Sequence, residues 1–204
     1  MKKLLLGLLC FASLTVFCQQ PEFDGKNWKA PYTLPTPQGW GVERFPVPPV
    51  FATKIPYIGI EDIRFAPGWA KVSSDEYWSY AFLWFMDGAP AVNEKVLANS
   101  LDEYYVGLVN SNLDPAKVPK GYTYKVKASL AKVKSIGKDD ETYSGSIAMF
   151  DYMQQKPIVL NCLIHYRHFG QKNKTIVFFE LSPKPLEDSV WISLNKLWAD
   201  FIFN

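Results

Sequence analysis

Hydrophobic and polar positions alternate along most of the chain after residue 57. Ile58 to Ala66 alternates as a strand and stops at Pro67-Gly68, a turn pair. Glu76 to Met86 reads as a second strand, stopped by Asp87-Gly88. The period then changes: Val96, Leu97, Leu101, Tyr104, Tyr105 and Leu108 recur at three- and four-residue spacing, the apolar stripe of a helix, with Asn93 or a neighbour as its cap. Tyr122 to Val133, Thr142 to Tyr152, Ile158 to Phe169 and Thr175 to Leu181 are four further strands, the last two joined by Gly170-Gln171-Lys172-Asn173. A closing helix carries Val190, Leu194, Leu197, Trp198 and Phe201 on its stripe, with Glu187 and Asp188 placed in its first turn to suit the helix dipole. The order β-β-α-β-β-β-β-α, with short turns between most strands, predicts an α+β fold: an antiparallel sheet of about six strands with a mid-chain helix and a C-terminal helix packed on it.

The strand at Glu76 to Met86 is apolar on both sides. Trp78, Tyr80, Phe82, Trp84 and Met86 lie on one face, and Tyr77, Ser79, Ala81, Leu83 and Phe85 on the other. Burying a Phe-sized ring is worth about 1.5 to 3 kcal/mol, too much for the even face to stay in water. The small residues of the odd face suit the close approach of the helices, which leaves the even face to another cover. Residues 21 to 57 offer one. Pro21, Pro31, Pro35, Pro37, Pro46, Pro48, Pro49 and Pro56 exclude helix and interrupt a sheet ladder, yet Trp28, Tyr32, Trp40, Phe45 and Phe51 are too many aromatics for a free linker. The pattern predicts a proline-rich, ordered, extended arm over residues 19–57, strapped across the even face of a single α+β domain at residues 58–204. A row of rings on a strand is more often core than a ligand platform, and Trp78, Tyr80 and Trp84 are the binding candidates if this row is the exception.

Residues 1–18 have the plan of a secretory signal peptide: Met1-Lys2-Lys3, an apolar run from Leu4 to Val16, and a polar turn at Gln19-Gln20-Pro21. The run is shorter than the roughly 20 residues of a spanning helix, so no transmembrane segment is expected in the mature chain. The expectation is export to the periplasm or beyond, in a bacterium, with cleavage after Cys18. A cysteine ending such a leader can instead carry lipid, which makes Cys18 the alternative anchor to the outer envelope; Phe17, where lipoprotein signals want a small residue, speaks against it.

Charge and cysteine count narrow the partners. The formal charge of the 204-residue chain is +2, and Lys2 and Lys3 of the leader account for it. A mature chain near neutrality has no basic balance with which to attract nucleic acid or anionic lipid. Of three cysteines, Cys10 and Cys18 belong to the leader, so Cys162 is the single thiol of the body and no internal disulfide is expected. Stability rests on burial, which a chain with 48% hydrophobic residues can supply.

No familiar catalytic, metal or cofactor pattern stands in the sequence. His165 and His168, the two histidines, are three apart on a strand and point to opposite faces, and there is no HExxH, paired CxxC or carboxylate-rich calcium loop. Ser129-Leu130-Ala131-Lys132 has the letters of S-x-x-K but lies on an alternating strand rather than a helix, and Cys162 between Leu160 and Ile164 reads as a buried thiol. The hairpin of residues 158–181 is more informative. A four-residue turn puts Ile164 and Tyr166 beside Val177, Phe179 and Leu181 as a core layer, and puts Asn161, Leu163, His165 and Arg167 beside Ile176, Phe178 and Glu180 on the other face. His165, Arg167 and Glu180 come within reach of one another there, either as a half-solvated ion pair or as the polar floor of a groove.

The element order over residues 58–204, with the short aromatic end Trp198-Ala199-Asp200-Phe201, resembles the PsbP-like fold. Members of that fold are mostly accessory or partner-binding proteins without catalytic residues, so the resemblance implies a binding or scaffolding role and transfers no site residue. Phe65-Ala66-Pro67-Gly68-Trp69 and Trp78-Ser79-Tyr80-Ala81-Phe82 also look like stretches of secreted bacterial proteins. The expected function is a noncatalytic exported envelope protein, without cofactor or metal, that binds an envelope partner or a small apolar or glycan-like ligand. The alternative is a hydrolase that sets acids such as Glu61, Asp62 or Asp151 beside His165.

Overall fold

The computed structural model describes residues 23–114, 116 and 123–203; the expected leader lies outside them. Seven strands and two helices follow in the order β1 (Gly41–Val47), β2 (Gly59–Phe65), β3 (Tyr80–Asp87), α1 (Glu94–Asn112), β4 (Lys127–Val133), β5 (Glu141–Asp151), β6 (Lys156–Phe169), β7 (Lys174–Ser182) and α2 (Val190–Ala199). All strands join one antiparallel sheet in the spatial order β1-β2-β3-β7-β6-β5-β4. Its logic is two meanders and one crossover. β1, β2 and β3 run inward from one edge, α1 carries the chain across to the far edge, and β4 to β7 step back until β7 closes against β3.

Helix α1 starts where the sequence places it. Asn93 is its N-cap, the side-chain oxygen accepting from the Val96 N–H at 3.0 Å. Helix α2 begins later than expected, at Val190, and Glu187 and Asp188 fall outside its first turn. Asp188 instead holds the entrance, its Oδ1 accepting from the Val190 N–H at 3.0 Å. The hairpin register matches the expected pairing, with Ile164 opposite Phe179, Tyr166 opposite Val177 and His165 opposite Phe178.

The seventh strand comes from the proline-rich stretch. β1 contains Pro46 and pairs with β2 along seven positions, from Gly41 opposite Phe65 to Val47 opposite Gly59. An edge strand has one side free of ladder bonds, and there a proline is tolerated.

Helices cover both faces of the sheet, one on each, which corrects the expectation that both lie on the odd face of β3. The large even side chains Tyr80, Phe82, Trp84 and Met86 pack with Leu97, Leu101, Tyr104 and Tyr105 of α1 in the larger core. Ala81, Leu83 and Phe85 meet Trp191, Leu194 and Leu197 of α2. The even face thus receives a helix that is itself aromatic, and Phe82 stacks on Tyr104 with centroids 5.4 Å apart.

Residues before β2 touch both layers. Tyr32 and Leu34 lie in the α2 core, Tyr32 against Phe85 at 5.1 Å and Phe201 at 5.6 Å, and Thr33 exchanges backbone hydrogen bonds with Ile202. On the far side of β1 the chain turns under α1, where Ala52, Ile55 and Tyr57 are buried. Gly107 is the residue of α1 that permits this: a Cβ there would stand 1.9 Å from the carbonyl oxygen of Phe51.

Candidate functional site

Two places combine shape with polar chemistry, and they lie on opposite faces of the sheet. The first is an aromatic groove of about 290 Å³ at the C-terminal end of α1. β1 contributes Glu43 and Phe45, β2 contributes Phe65, and the loop before β3 contributes Trp69 and Trp78. Trp69 is laid flat on Phe65, with centroids 4.4 Å apart. The loop is held by Glu76, whose Oε2 accepts from the Gly68 N–H at 2.7 Å, and by the Trp78 N–H donating to the Trp69 carbonyl at 2.8 Å. Trp78 takes a left-handed backbone conformation with φ of 55°, uncommon for a bulky residue. That geometry turns its indole inward against Tyr80 and Tyr152.

Polar atoms edge this groove sparingly. Glu43 is exposed at one side, and at the other the Asn112 amide nitrogen donates to the Leu108 carbonyl, leaving its oxygen without a partner among the described residues. The indole N–H of Trp78 is buried with no aligned hydrogen-bond acceptor among the described residues. Deeper polar atoms are already committed. The Tyr80 and Tyr105 hydroxyls bond each other, and Glu61 accepts from Trp84 Nε1 at 2.9 Å and from the Tyr104 hydroxyl at 2.7 Å. Burial pushes the Glu61 carboxyl up to about 8, against the two donors, which favour its charged form.

The second place surrounds His165 on the α2 face. Its Nδ1 lies 2.6 Å from Asp139 Oδ2, and its Nε2 lies 3.3 Å from Glu180 Oε1. The first contact is a hydrogen bond; the second is an ion-pair distance without hydrogen-bond alignment, so Nε2 and both Glu180 oxygens lack a bonded partner. Asp139 is fixed from two more sides, by the Thr142 hydroxyl at 2.6 Å and Trp198 Nε1 at 2.8 Å. Trp198 also stacks on His165, with centroids 5.3 Å apart. Burial opposes charge on the imidazole, but Asp139 and Glu180 outweigh it, and the net direction is upward. Burial likewise raises the Glu180 carboxyl, with His165 pulling the other way.

The sequence candidates therefore divide. Trp78 and Tyr80 wall the aromatic groove, whereas Trp84 is fully buried beneath it as the partner of Glu61. His165 and Glu180 come together as the hairpin register predicts, and Arg167 lies along the same face, its guanidinium over the rings of Phe169 and Trp198 at 4.7 and 5.8 Å. The acids offered for a hydrolase do not join His165. Glu61 is on the other face, Asp62 is clamped by Arg44, Arg64 and Tyr32, and Asp151 accepts from the Tyr77 hydroxyl. The acid that does join it is Asp139. It sits in the run Lys138-Asp139-Asp140-Glu141, which reads as a solvated turn and gives no sign that one carboxylate folds inward.

Cys162 is buried on the α1 face, and burial pushes its thiol up to about 12. Among the described residues no three His, Cys, Asp or Glu side chains gather in a way that would hold a metal ion, and no helix is long and apolar enough to cross a membrane. Comparison with protein-family models, curated proteins and solved structures finds no match to this chain.

Proposed function

We propose that this is an exported, noncatalytic binding protein whose aromatic groove at the end of α1 takes a small glycan-like ligand. The observation that carries the reading is the groove's composition: Phe65, Trp69 and Tyr152 are only half-buried there, a set of ring faces beside the free carboxylate of Glu43 and the amide oxygen of Asn112. A sugar ring presents C–H faces to aromatic planes and hydroxyls to such acceptors. Small-ligand pockets begin at about 300 Å³, so a groove of about 290 Å³ fits one ring better than a peptide.

The chemistry around His165 supports binding over hydrolysis. Both ring nitrogens face carboxylates, so neither is placed to take a proton from a hydroxyl or thiol, and Cys162 lies on the other face of the sheet. The PsbP-like resemblance and the leader, with cleavage before Gln19 or lipid on Cys18, belong to the same reading. An accessory protein of the envelope meets glycans in its own compartment.

Calorimetric titration with N-acetylglucosamine and cellobiose tests it. Binding in the millimolar range or tighter, lost at least tenfold in Trp69→Ala, is expected. Uptake of indole or another apolar probe at the same residues, with no response to either sugar, would replace the glycan by an apolar ligand.

A further inference from the structure

The α2 face carries a second cleft, of about 760 Å³, between the β4–β5 turn, the end of β6, the last turn of α2 and the chain that follows it. Trp198 is half-buried in its wall, and Arg167 runs across that wall with its guanidinium held over Trp198 and Phe169. Two rings flank the group, yet it makes no ion pair or hydrogen bond among the described residues. The nearby carboxylates are engaged elsewhere. Asp139 serves His165, Thr142 and Trp198; Asp140 accepts from the His168 N–H; Asp200 pairs with Lys196; Glu180 lies buried beside His165. Lys138 on the turn and Asn195 on α2 add polar side chains to the lining, each exposed and without a partner among the described residues.

We propose that this cleft binds a carboxylate attached to a six-membered ring, such as a uronic or aromatic acid, with Arg167 as the group that recognises the carboxylate. A half-buried guanidinium loses part of its hydration and here recovers no counter-ion, so a ligand anion restores what the fold leaves open. The planar fork of an arginine matches a carboxylate through two parallel N–H donors. Phosphate is the poorer match, because this cleft offers one ordered guanidinium and a single flexible lysine. The ring of the ligand lies on Trp198, whose other contacts, His165, Phe178, Phe201 and the Asp139 bond, hold the indole still. The proposal does not rest on the groove below α1, which lies on the other face of the sheet.

The test is a two-dimensional nitrogen–proton NMR titration of the full mature chain with sodium glucuronate, glucose and sodium phosphate at constant ionic strength. The expected result is a saturating movement of the Trp198 indole and Arg167 Nε–H signals with glucuronate alone. Arg167→Gln is expected to weaken it at least tenfold and Lys138→Gln two- to threefold. Because Arg167 also covers two rings, Arg167→Lys provides a variant that keeps the charge and the stem; loss of most binding in a protein that melts like the parent assigns the effect to the fork. Equal movement with phosphate would overturn the carboxylate assignment. Movement confined to the indoles of Trp69 and Trp78, or no saturating movement, would overturn the site.

Discussion

Asp139 and His165, 26 residues apart, meet at 2.6 Å beneath Trp198, so a turn between two strands, the central hairpin and the closing helix share one buried contact. A histidine with a carboxylate facing each nitrogen is best matched as the doubly protonated ring, hydrogen-bonded to Asp139 through Nδ1 and at ion-pair distance from Glu180 through Nε2. The arrangement is a charged joint between three parts of the fold.

His165 gives a pH dependence with a definite sign. Its folded pKa is raised above the ordinary 6.5, so its contribution is fully present below that value and is lost as pH climbs through the higher folded value. The raised Glu180 acts in the same direction, since its charged form is disfavoured in the fold. Thermal unfolding midpoints should therefore fall between pH 6 and pH 9. His165→Gln should flatten that slope and destabilise by about 3 to 5 kcal/mol at pH 6, the usual penalty for leaving buried charges unpaired. An imidazole that NMR shows to be neutral at pH 6 would contradict the joint.

Glu61 adds a separate and earlier slope. With its carboxyl at about 8 in the fold, stability declines as pH rises from about 4.5 to 8. A protonated Glu61 donates to the Tyr104 hydroxyl, which turns to accept, while Trp84 Nε1 keeps its acceptor. Glu61→Gln should preserve most of this bonding and remove a pH dependence on the order of a few kcal/mol, measured as urea unfolding free energies at pH 5 and pH 8. Identical slopes in parent and variant would mean that the carboxylate is charged throughout.

How far the sequence reveals these features depends on whether local pattern or long-range packing decides them. The α1 stripe with its Asn93 cap, and the register placing His165 near Glu180, follow from period and turn length within a few residues. β1 does not, because Pro46, Pro48 and Pro49 erase the strand signal and only its edge position makes Pro46 acceptable. The cover of the even face of β3 is equally illegible: both helices are amphipathic, and the crossover from β3 to the far edge decides which face α1 takes. Asp139 is hidden for the same reason, its inward turn being set by Trp198 and Thr142, distant and near, rather than by its charged neighbours.

Cys162 is expected to be inert in the native protein. It is fully buried, with its thiol pushed up to about 12, so the thiolate is scarce and the sulfur unreachable. In a chain starting at Gln19 it is the single cysteine. An aromatic disulfide reagent at pH 8 should release no colour within minutes from folded protein and one equivalent after addition of guanidinium.

Gly107→Ala measures how tightly the chain before β2 is pressed on α1. Alanine favours a helix over glycine by about 1 kcal/mol in isolation. Here the new Cβ would stand 1.9 Å from a backbone oxygen of Phe51, so either the helix or the segment must move. Destabilisation of about 1 to 3 kcal/mol by urea unfolding is expected, the range for overpacking. A neutral or stabilising result would show that residues 48–57 rest loosely on the helix.

Removal of residues 1–40, leaving a chain that starts at Gly41, separates a seal from a gate. It takes away Tyr32 and Leu34 from the α2 core and exposes Phe85 and Phe201. It also strips the buried Arg64 of the Leu34 and Pro35 carbonyls that accept from Nη2 and Nε, and strips Asp62 of the Tyr32 hydroxyl, while the Arg64–Asp62 pair remains. A buried guanidinium left with unanswered donors is strongly destabilising. Phe45 and Phe51, which line the aromatic groove, stay in place. The truncated chain should lose several kcal/mol of stability, bind a hydrophobic dye and aggregate, with sugar affinity at the groove unimproved. A soluble monomer that takes up ligand more tightly would make residues 23–40 a gate, and the clamp of Arg64 on their carbonyls its latch.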